Sequence, residues 1–410
     1  MGRGGPSRFD NPPPGWVGAR EAAARLGVQP ATLYTYVSRG WVRTAGARRQ
    51  RLYAVEDLER LRARHDARAG HGPVAAGALR WGEAVLQTRV SQVTPEGPRY
   101  RGHAALALVR VGTPFEAVAE LLWGATLDAS PWAPLDPAWG SLAALLPPRA
   151  PVLPTLLAGL ALRALDPEAP DDGPSVARDA LRGMARLLGR SFGHEQSMDT
   201  TYQQRSIASM ACISFGIKPL PLAVAALDRC LVLVADHELN AGTFAARVAA
   251  SAGAGLRASM VAALAAMTGP RHGAASDALE ALLGAHATPE GAREAALGEH
   301  ARGGSLAGFG HPLYPRGDPR GAELLGLAAE LGDGGAAGAA LRAVSEALAG
   351  VGHPAPNLDA GLVALRAALG LPRGAGAGLF ALGRGAGWAA HVFEQRADGA
   401  LLRPRARYVE

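Results

Sequence analysis

The sequence has 410 residues, of which 48% are hydrophobic and 19% are charged. At about 150 residues per domain, this length accommodates two or three domains with substantial cores, and the apolar fraction excludes a wholly disordered chain. The two cysteines, Cys212 and Cys230, are too few for a disulfide framework or a four-cysteine zinc site, which indicates a reducing compartment. The first residues contain no apolar segment typical of a signal peptide, so we expect a cytoplasmic protein without membrane contact.

The positive charge is concentrated near the N-terminus. The net charge of the chain is +6, and residues 1–70 contain 13 arginines against six acidic residues, whereas the remainder is almost neutral. Such an uneven distribution is typical of an appended module with an anionic partner, and nucleic acid is the first candidate.

The N-terminal segment is predicted to form a small module. Residues 1–15 are rich in glycine and proline, which predicts disorder. Apolar residues at helical spacing predict helices over 19–26, 30–38 and 55–64, and the arginines between the last two indicate a basic hairpin. We therefore place a module at residues 16–66, followed by a glycine-, alanine- and proline-rich linker at residues 67–79.

The rest of the chain is predicted to be mainly α-helical. A short strand-like segment at 83–90 and a turn at 95–98 come first, and from residue 104 onward apolar residues recur at helical spacing. The predicted helices are 115–122, 154–165, 176–188, 220–234, 243–252, 259–266, 277–283, 322–331, 336–348 and 362–369. Because strands do not alternate with helices, the pattern excludes a Rossmann-type sheet.

Clusters of polar residues interrupt this helical pattern beside glycines and prolines. The clusters are Asp236-His237-Glu238-Leu239-Asn240, Gly269-Pro270-Arg271-His272-Gly273, Gly308-Phe309-Gly310-His311 with Asp318-Pro319-Arg320, Pro356-Asn357-Leu358-Asp359, Gly383-Arg384, and Arg403-Pro404-Arg405. Taken singly, each cluster is a weak signal. No pair among His237, His272 and His311 has zinc-ligand spacing, so we expect no metal site, and the GFG segment lacks the third glycine of a dinucleotide fingerprint.

Together and in this order, the clusters resemble the citrate synthase family. Its ADHxxN, GPxHG, GFGH…DPR, PNxD and terminal RPR motifs match the clusters given above, and Tyr100-Arg101-Gly102 matches its YRG element. The resemblance covers about residues 80–410. It implies an all-helical fold of two domains, a large one formed by residues 80–270 and 379–410 and a small one formed by residues 271–378. It also implies a homodimer with shared active sites.

The resemblance implies a condensation of an acyl-CoA thioester with oxaloacetate. In this role Asp359 is the base that removes a proton from the thioester methyl, His272 stabilises the developing enolate, and His311 polarises the ketone. Oxaloacetate is a dicarboxylate, and planar guanidinium groups bind carboxylates in a bidentate manner. The residues that the resemblance assigns to oxaloacetate are His237, Arg320, Arg384 and Arg403.

The resemblance assigns contacts with the CoA portion to Gly308, Phe309, Gly310 and Arg316, and implies that CoA is a co-substrate rather than a permanently bound cofactor. Three positions depart from the family pattern. Val234 stands where a histidine is frequent, Ser276 where an asparagine is frequent, and Pro315 where a cation often binds the CoA phosphates. None of these departures removes a proton-transfer residue.

The N-terminal module separately resembles the winged helix-turn-helix of MerR-type regulators. The matching residues run from Arg20 to Val28 and from Ala31 to Tyr34, with Ser38-Arg39-Gly40 after them. In such modules the second helix enters the major groove and a basic wing contacts phosphates. The candidate DNA contacts are Thr32, Thr35, Arg39, Arg48, Arg49 and Arg51. A helical module for oligomerisation or docking is the alternative.

The sequence therefore predicts a citrate synthase-type acyltransferase that makes citrate and CoA from acetyl-CoA and oxaloacetate. A 2-methylcitrate synthase that uses propionyl-CoA is an alternative, because one additional methylene requires only a small change in a pocket. A transcription regulator that senses oxaloacetate or CoA without catalysis is another.

Overall fold

The computed structural model describes residues 15–26, 28–38, 41–46, 51–58, 61, 86–127, 131–166, 170–194, 205–269 and 275–404. The chain divides into two compact units. The first comprises Met1–Gln87 with Pro404–Glu410, and the second comprises Thr88–Arg403. The segments predicted to be disordered (1–15) and to form a linker (67–79) lie outside the described residues, apart from Gly15.

The first unit combines two short helices with a small antiparallel sheet. Its elements are β1 (Trp16–Gly18), α1 (Ala19–Leu26), α2 (Pro30–Ser38), β2 (Thr44–Ala45) and β3 (Leu52–Ala54). The strands pair in the order β1-β3-β2, so that β2 and β3 form a hairpin after the second helix. Leu33 of α2 and Tyr53 of β3 are buried in the core of this unit, which joins its helices to its sheet.

The second unit begins with a short antiparallel sheet and continues in helices. The strands are β4 (Ser91–Thr94), β5 (Gly97–Tyr100) and β6 (His103–Ala104), in the order β4-β5-β6. The helices are α3 (Ala105–Arg110), α4 (Phe115–Leu122), α5 (Ala138–Leu145), α6 (Val152–Arg163), α7 (Pro174–Phe192), α8 (Ile207–Ser214), α9 (Pro221–Val234), α10 (Ala241–Ser251), α11 (Leu256–Met267), α12 (Ala275–Gly284), α13 (Pro289–Ala301), α14 (Pro319–Leu331), α15 (Gly335–Gly350), α16 (Leu358–Ala368) and α17 (Ala375–Asp398). The prediction of a mainly α-helical chain is confirmed.

Helix α17 is buried along most of its length, and glycines allow its neighbours to approach. A β-carbon at Gly383 would lie 2.9 Å from the Leu231 carbonyl oxygen and closer still to Val234. A β-carbon at Gly387 would lie 2.5 Å from the carbonyl oxygen of Ala235. Because real side chains do not make such close contacts, only glycine lets the C-terminal end of α9 pack directly on α17.

The apolar side chains of the second unit form two clusters. The larger contains most of α4 to α11 together with α17. The smaller lies between Leu279 and Ala364 and is built from α12 to α16, with Ala328 as the member from α14. The predicted boundaries of a large and a small domain stay a prediction, although the smaller cluster falls wholly within residues 271–378.

The structure differs from the sequence-based elements at the start of the β4 strand and at five helices that are absent from the predicted list, namely α3, α5, α8, α13 and α17. Residues 86–90 of the predicted strand 83–90 are irregular, and the strand begins at Ser91, because the antiparallel pairing with β5 is centred on the turn at residues 95 and 96. Helix α17 is missing from the predicted helices, because its glycines are poor helix formers and disguise the periodicity. Within the described ranges, no helix is both long and apolar enough to span a membrane.

Candidate active site

The candidate site starts at the junction between α9 and α10. Helix α9 ends at Val234, and the side chain of Asn240 starts α10 by accepting a hydrogen bond from the backbone N–H of Thr243 at 3.1 Å. Between them, Glu238 adopts a left-handed conformation with φ of 53°. This sharp turn holds His237 at the junction, where its side chain is buried.

The segment that carries the GFGH motif provides the opposite side of the site. The Tyr314 hydroxyl lies 3.0 Å from His237 Nε2, and the His311 ring is centred 4.9 Å from the Tyr314 ring. The rings of His237 and His311 are 5.3 Å apart and nearly perpendicular. Tyr314 thus joins the two histidines that the sequence assigned to substrate binding and ketone polarisation.

Two buried arginines border these rings. Arg320 forms a bidentate ion pair with Asp318, through Nε at 3.0 Å and Nη2 at 2.8 Å, and its guanidinium lies 5.5 Å from the centre of the Tyr314 ring. Arg384 of α17 donates from Nε to the Val234 carbonyl oxygen at 2.8 Å. Arg320 Nη1 and both Nη groups of Arg384 take no part in these bonds, which leaves donors for a carboxylate ligand.

Asp359 stands at the start of α16, on a loop that is joined to the GFGH segment. Asn357 caps α16 by accepting from the Asp359 backbone N–H at 2.9 Å, and its amide donates to the Gly310 carbonyl oxygen at 2.8 Å. Its backbone N–H also donates to the Gly308 carbonyl oxygen. The loop pairing therefore fixes Asp359 relative to His311.

The electrostatics of the site favour neutral histidines. Burial lowers the pKa of His237 well below its ordinary value, and the nearby guanidinium groups of Arg320 and Arg384 lower it further. Burial also lowers the pKa of His311, with a second contribution from Arg320. Both imidazoles are therefore neutral at pH 7, and each has one N–H to donate.

The charged groups are set for anion binding and proton abstraction. Burial raises the pKa of Asp359 to about 6, although the charge of Arg320 opposes this shift. Burial lowers the pKa of Arg384 to about 10, which leaves it charged at neutral pH. A carboxylate with a raised pKa, close enough to Arg320 for its charge to act on it, suits removal of a proton next to a bound dicarboxylate.

The structure brings together five of the predicted site residues: His237, His311, Arg320, Arg384 and Asp359. Arg403 and Arg316 are both exposed, and neither has a contact with this group in the described part of the chain. His272 lies outside the described residues. The backbone of Ser276, four residues later, acts on the Asp359 carboxyl and lowers its pKa against the larger opposing effect of burial.

The residues of the GFG segment hold the backbone around Asp359 in place. Gly308 and Gly310 have positive φ angles of 86° and 72°, which favour glycine. Phe309 is buried in the smaller apolar cluster, and its backbone bridges to Pro356. Since the Gly308 and Gly310 carbonyls already accept from Asn357, the segment serves first to hold the Asp359 loop.

The predicted DNA contacts are only partly described. Thr35 is exposed on α2, Thr32 is half-buried on the same helix, and Arg51 directly precedes β3. Arg39, Arg48 and Arg49 lie outside the described residues.

Sequence reasoning assigned no role to Tyr314, Asp318 or His391, which shape the site. Tyr314 and Asp318 lie inside the recognised GFGH…DPR segment, but no catalytic pattern singles them out. The Nε2 atom of His391 lies 3.2 Å from the Asp236 carboxylate. The one sequence signal that could have indicated His391 was its spacing of seven residues from Arg384. No group of three or more potential metal ligands occurs within the described ranges.

Comparison with known proteins identifies one family. The sequence model of the citrate synthase C-terminal domain matches residues 78–405. The chain is 29% identical over 351 residues to the citrate synthase of Mycolicibacterium smegmatis, covering 80% of this chain and 93% of the relative. It is 32% identical over 197 residues to citrate synthase 2 of Bacillus subtilis and 33% identical over 202 residues to the 2-methylcitrate synthase of Shewanella oneidensis. Each of these two alignments covers 47% of this chain. The chain spans about half the length of these relatives, 53% of the first and 52% of the second.

The fold is also similar to a solved structure. A ternary complex of carboxymethyl coenzyme A and oxaloacetate with the citrate synthase of Thermoplasma acidophilum superposes with a TM-score of 0.71 at 23% identity. The match covers 83% of this chain and 97% of that one. The citrate synthase-like helical fold expected from the sequence is thereby confirmed.

Proposed function

Since the chain belongs to the citrate synthase family, whose model matches residues 78–405, we propose that it condenses acetyl-CoA with oxaloacetate to give citrate and CoA. The observation that carries this proposal is the joint placement of His237, His311, Arg320 and Arg384 with a carboxylate, Asp359, whose pKa is raised to about 6. This set provides a dicarboxylate site and a base in one place.

The keto acid binds through the arginines. Arg320 and Arg384 present unused guanidinium nitrogens to its carboxylates, and His237 donates a further hydrogen bond. The His311 N–H then faces the ketone oxygen, where negative charge develops. Asp318 keeps Arg320 in place through its bidentate pair, so the guanidinium is oriented before the ligand arrives.

The condensation proceeds in two stages. Asp359 removes a proton from the thioester methyl, and the resulting enolate carbon forms a bond to the ketone carbon of oxaloacetate, whose oxygen takes a proton from His311. His272 is the proposed donor to the enolate oxygen. Water then cleaves the thioester of citryl-CoA, releasing citrate and CoA as the carbon–sulfur bond breaks.

CoA acts as a co-substrate, and enzymes of this family require no permanently bound cofactor. We assign its adenine to the backbone of Gly308, Phe309 and Gly310, and a phosphate contact to the exposed Arg316. The exposure of Arg316 suits a solvated phosphate better than a buried carboxylate.

Arg403 completes the site of a second subunit. The backbone N–H of Leu402 donates to Ser251 Oγ at 3.1 Å, which anchors the tail at the C-terminal end of α10. Helix α10 has 11 residues and starts beside His237, so its far end is about 16 Å away. An exposed arginine at that end suits the active site of a partner in a homodimer better than its own.

Release of the CoA thiol tests the proposed function. The purified protein is assayed with oxaloacetate and either acetyl-CoA or propionyl-CoA, and kcat/KM is compared. A higher kcat/KM with acetyl-CoA is the expected result, and a preference for propionyl-CoA would indicate a 2-methylcitrate synthase. Binding of oxaloacetate without thiol release from either thioester would indicate a sensor.

The first unit supports a second function, which is DNA binding. Its two helices are followed by the β2–β3 hairpin, and residues 1–70 carry the positive charge of the chain. Helix α2 would enter the major groove, with Thr32, Thr35 and Arg39 near the bases and Arg48, Arg49 and Arg51 on phosphates. Salt-sensitive binding of the intact protein to duplex DNA tests this assignment.

A further inference from the structure

Three residues on one face of α17 contact three consecutive residues at the end of α9. Arg384 Nε donates to the Val234 carbonyl oxygen at 2.8 Å, and the Gly387 N–H donates to the Ala235 carbonyl oxygen at 3.0 Å. His391 Nε2 lies 3.2 Å from Asp236 Oδ2. The spacing i, i+3, i+7 places all three on one side of the helix, so α17 aligns the turn that leads to His237.

The sheet holds the same turn from the other side. Ser91 of β4 donates from Oγ to Asp236 Oδ2, and the Glu238 backbone N–H donates to Ser91 Oγ at 3.1 Å and to Asp236 Oδ2 at 3.2 Å. Glu238 has the left-handed conformation that the turn needs. Non-glycine residues keep such a conformation only when their surroundings fix it, and these bonds are the fixing contacts.

The buried carboxylate is held in its charged form. Burial raises the pKa of Asp236, but His391, Arg384 and the Ser91 hydroxyl more than offset this, and the net shift is downward. Asp236 and His391 are both fully buried. Removing one donor would leave a buried charge short of partners, and the turn at Glu238 would relax to compensate.

We propose, on the basis of the proposed function, that Ser91 and His391 are positioning residues for the condensation. Through Asp236 they fix the turn at Glu238, which sets the direction of the His237 imidazole toward the keto acid. Neither residue contacts the cluster of His237, His311, Tyr314 and Arg320 directly, so their effect is exerted through the backbone and Asp236.

Steady-state kinetics of Ser91→Ala and His391→Gln test the proposal, with Ser214→Ala as the matched control. Ser214 is likewise a buried serine, and its hydroxyl donates to the Ala185 carbonyl oxygen at 2.7 Å rather than to Asp236. We expect Ser91→Ala to raise KM for oxaloacetate and lower kcat by about 10- to 100-fold, the loss typical of a misplaced substrate contact, with KM for the thioester unchanged. Ser91→Thr should restore activity, because it keeps the hydroxyl.

Thermal unfolding and calorimetric titration with oxaloacetate separate the possible outcomes. Equal kinetics for Ser91→Ala and Ser214→Ala at similar Tm would overturn the proposal, as would failure of Ser91→Thr to restore activity. If Ser91→Ala does not fold, the same comparison is made with His391→Gln. If the unchanged protein binds oxaloacetate but releases no thiol, the proposed catalytic function fails, and weaker oxaloacetate binding by Ser91→Ala still supports the positioning role. If the unchanged protein does neither, both fail.

Discussion

The Tyr314 hydroxyl is the group that links the two histidines of the site. It lies 3.0 Å from His237 Nε2, and burial raises its pKa to about 12, so it is a neutral phenol at any physiological pH. His237 is also neutral. The direction of this hydrogen bond is coupled to the tautomer of His237, because a hydroxyl can donate or accept. When the hydroxyl donates to Nε2, Nδ1 carries the proton that the ring can offer to the keto acid.

The substitution Tyr314→Phe should weaken oxaloacetate binding and slow the condensation. The change removes one hydrogen bond, for which the net value is about 0.5–1.5 kcal/mol, so we expect a loss of about 2- to 10-fold in kcat/KM. Steady-state kinetics measure the effect, with Tyr36→Phe in the first unit as the control. Unchanged KM for oxaloacetate and unchanged kcat would show that Tyr314 only fills space.

The base is expected to determine the acid limb of the pH profile. Because burial raises the pKa of Asp359 to about 6, the carboxyl group is protonated and inactive below that pH. We expect kcat/KM to fall about tenfold per pH unit below about pH 6, as for loss of one essential base.

Asp359→Asn should lower kcat by about 10²–10⁴-fold and leave oxaloacetate binding nearly unchanged in calorimetry. Near-normal turnover of this variant would contradict the assignment.

At the level of elements, many amphipathic helices were predictable, and α17 was among the helices that were not. The sequence predicts 115–122 with the observed bounds and α7 to within a few residues, because their apolar residues follow the helical period. In α17 glycines occupy five interior positions, and these reduce the apolar signal. These glycines are required by the close approach of α9. Because the residues of α9 lie more than 140 positions away in the sequence, no local pattern indicates this contact.

Filling this contact should destabilise the protein. Gly383→Ala would place a methyl group 2.9 Å from the Leu231 carbonyl oxygen and closer to Val234, and overpacking of this kind costs about 1–3 kcal/mol. Gly326→Ala on α14 is the matched control, because its β-carbon would meet nothing within 4 Å. The control should be neutral or stabilise by up to about 1 kcal/mol. Urea unfolding measures both, and equal free energies of unfolding would contradict the packing argument.

For the whole molecule, the ordered motifs predicted which residues come together in the candidate site, but they did not predict the side chains that hold those residues in position. His237, His311, Arg320, Arg384 and Asp359 were all named from their clusters. Ser91 was not, because a lone serine carries no signal, and its partner Asp236 is 145 residues away. His391 is likewise 155 residues from Asp236. Supporting contacts of this kind depend on tertiary packing, which a single sequence does not reveal.

Removal of an arginine charge from the first unit should weaken DNA binding, whereas removal of one from the second unit should not. If Arg51 contacts a phosphate, Arg51→Ala should weaken binding to duplex DNA of random sequence and reduce the slope of log K against log salt by about 1. Arg293→Ala, an exposed arginine on α13, is the control and should leave the slope unchanged. Fluorescence anisotropy at several salt concentrations gives both slopes. Identical slopes for the two variants and the unchanged protein would favour a docking module instead.

Sharing of active sites between two subunits gives the last prediction. Arg403→Ala and Asp359→Asn homodimers should each be nearly inactive, because every site in them has one defect. If Arg403 serves the partner's site, a mixed dimer contains one site with both defects and one with neither, as twofold symmetry requires. Random exchange makes half of the dimers mixed, so mixing equal amounts after dissociation should restore about a quarter of the original activity. Subunit exchange is verified with differently tagged variants. A mixture that exchanges fully and stays as inactive as its parents would place Arg403 in the site of its own chain or outside the reaction.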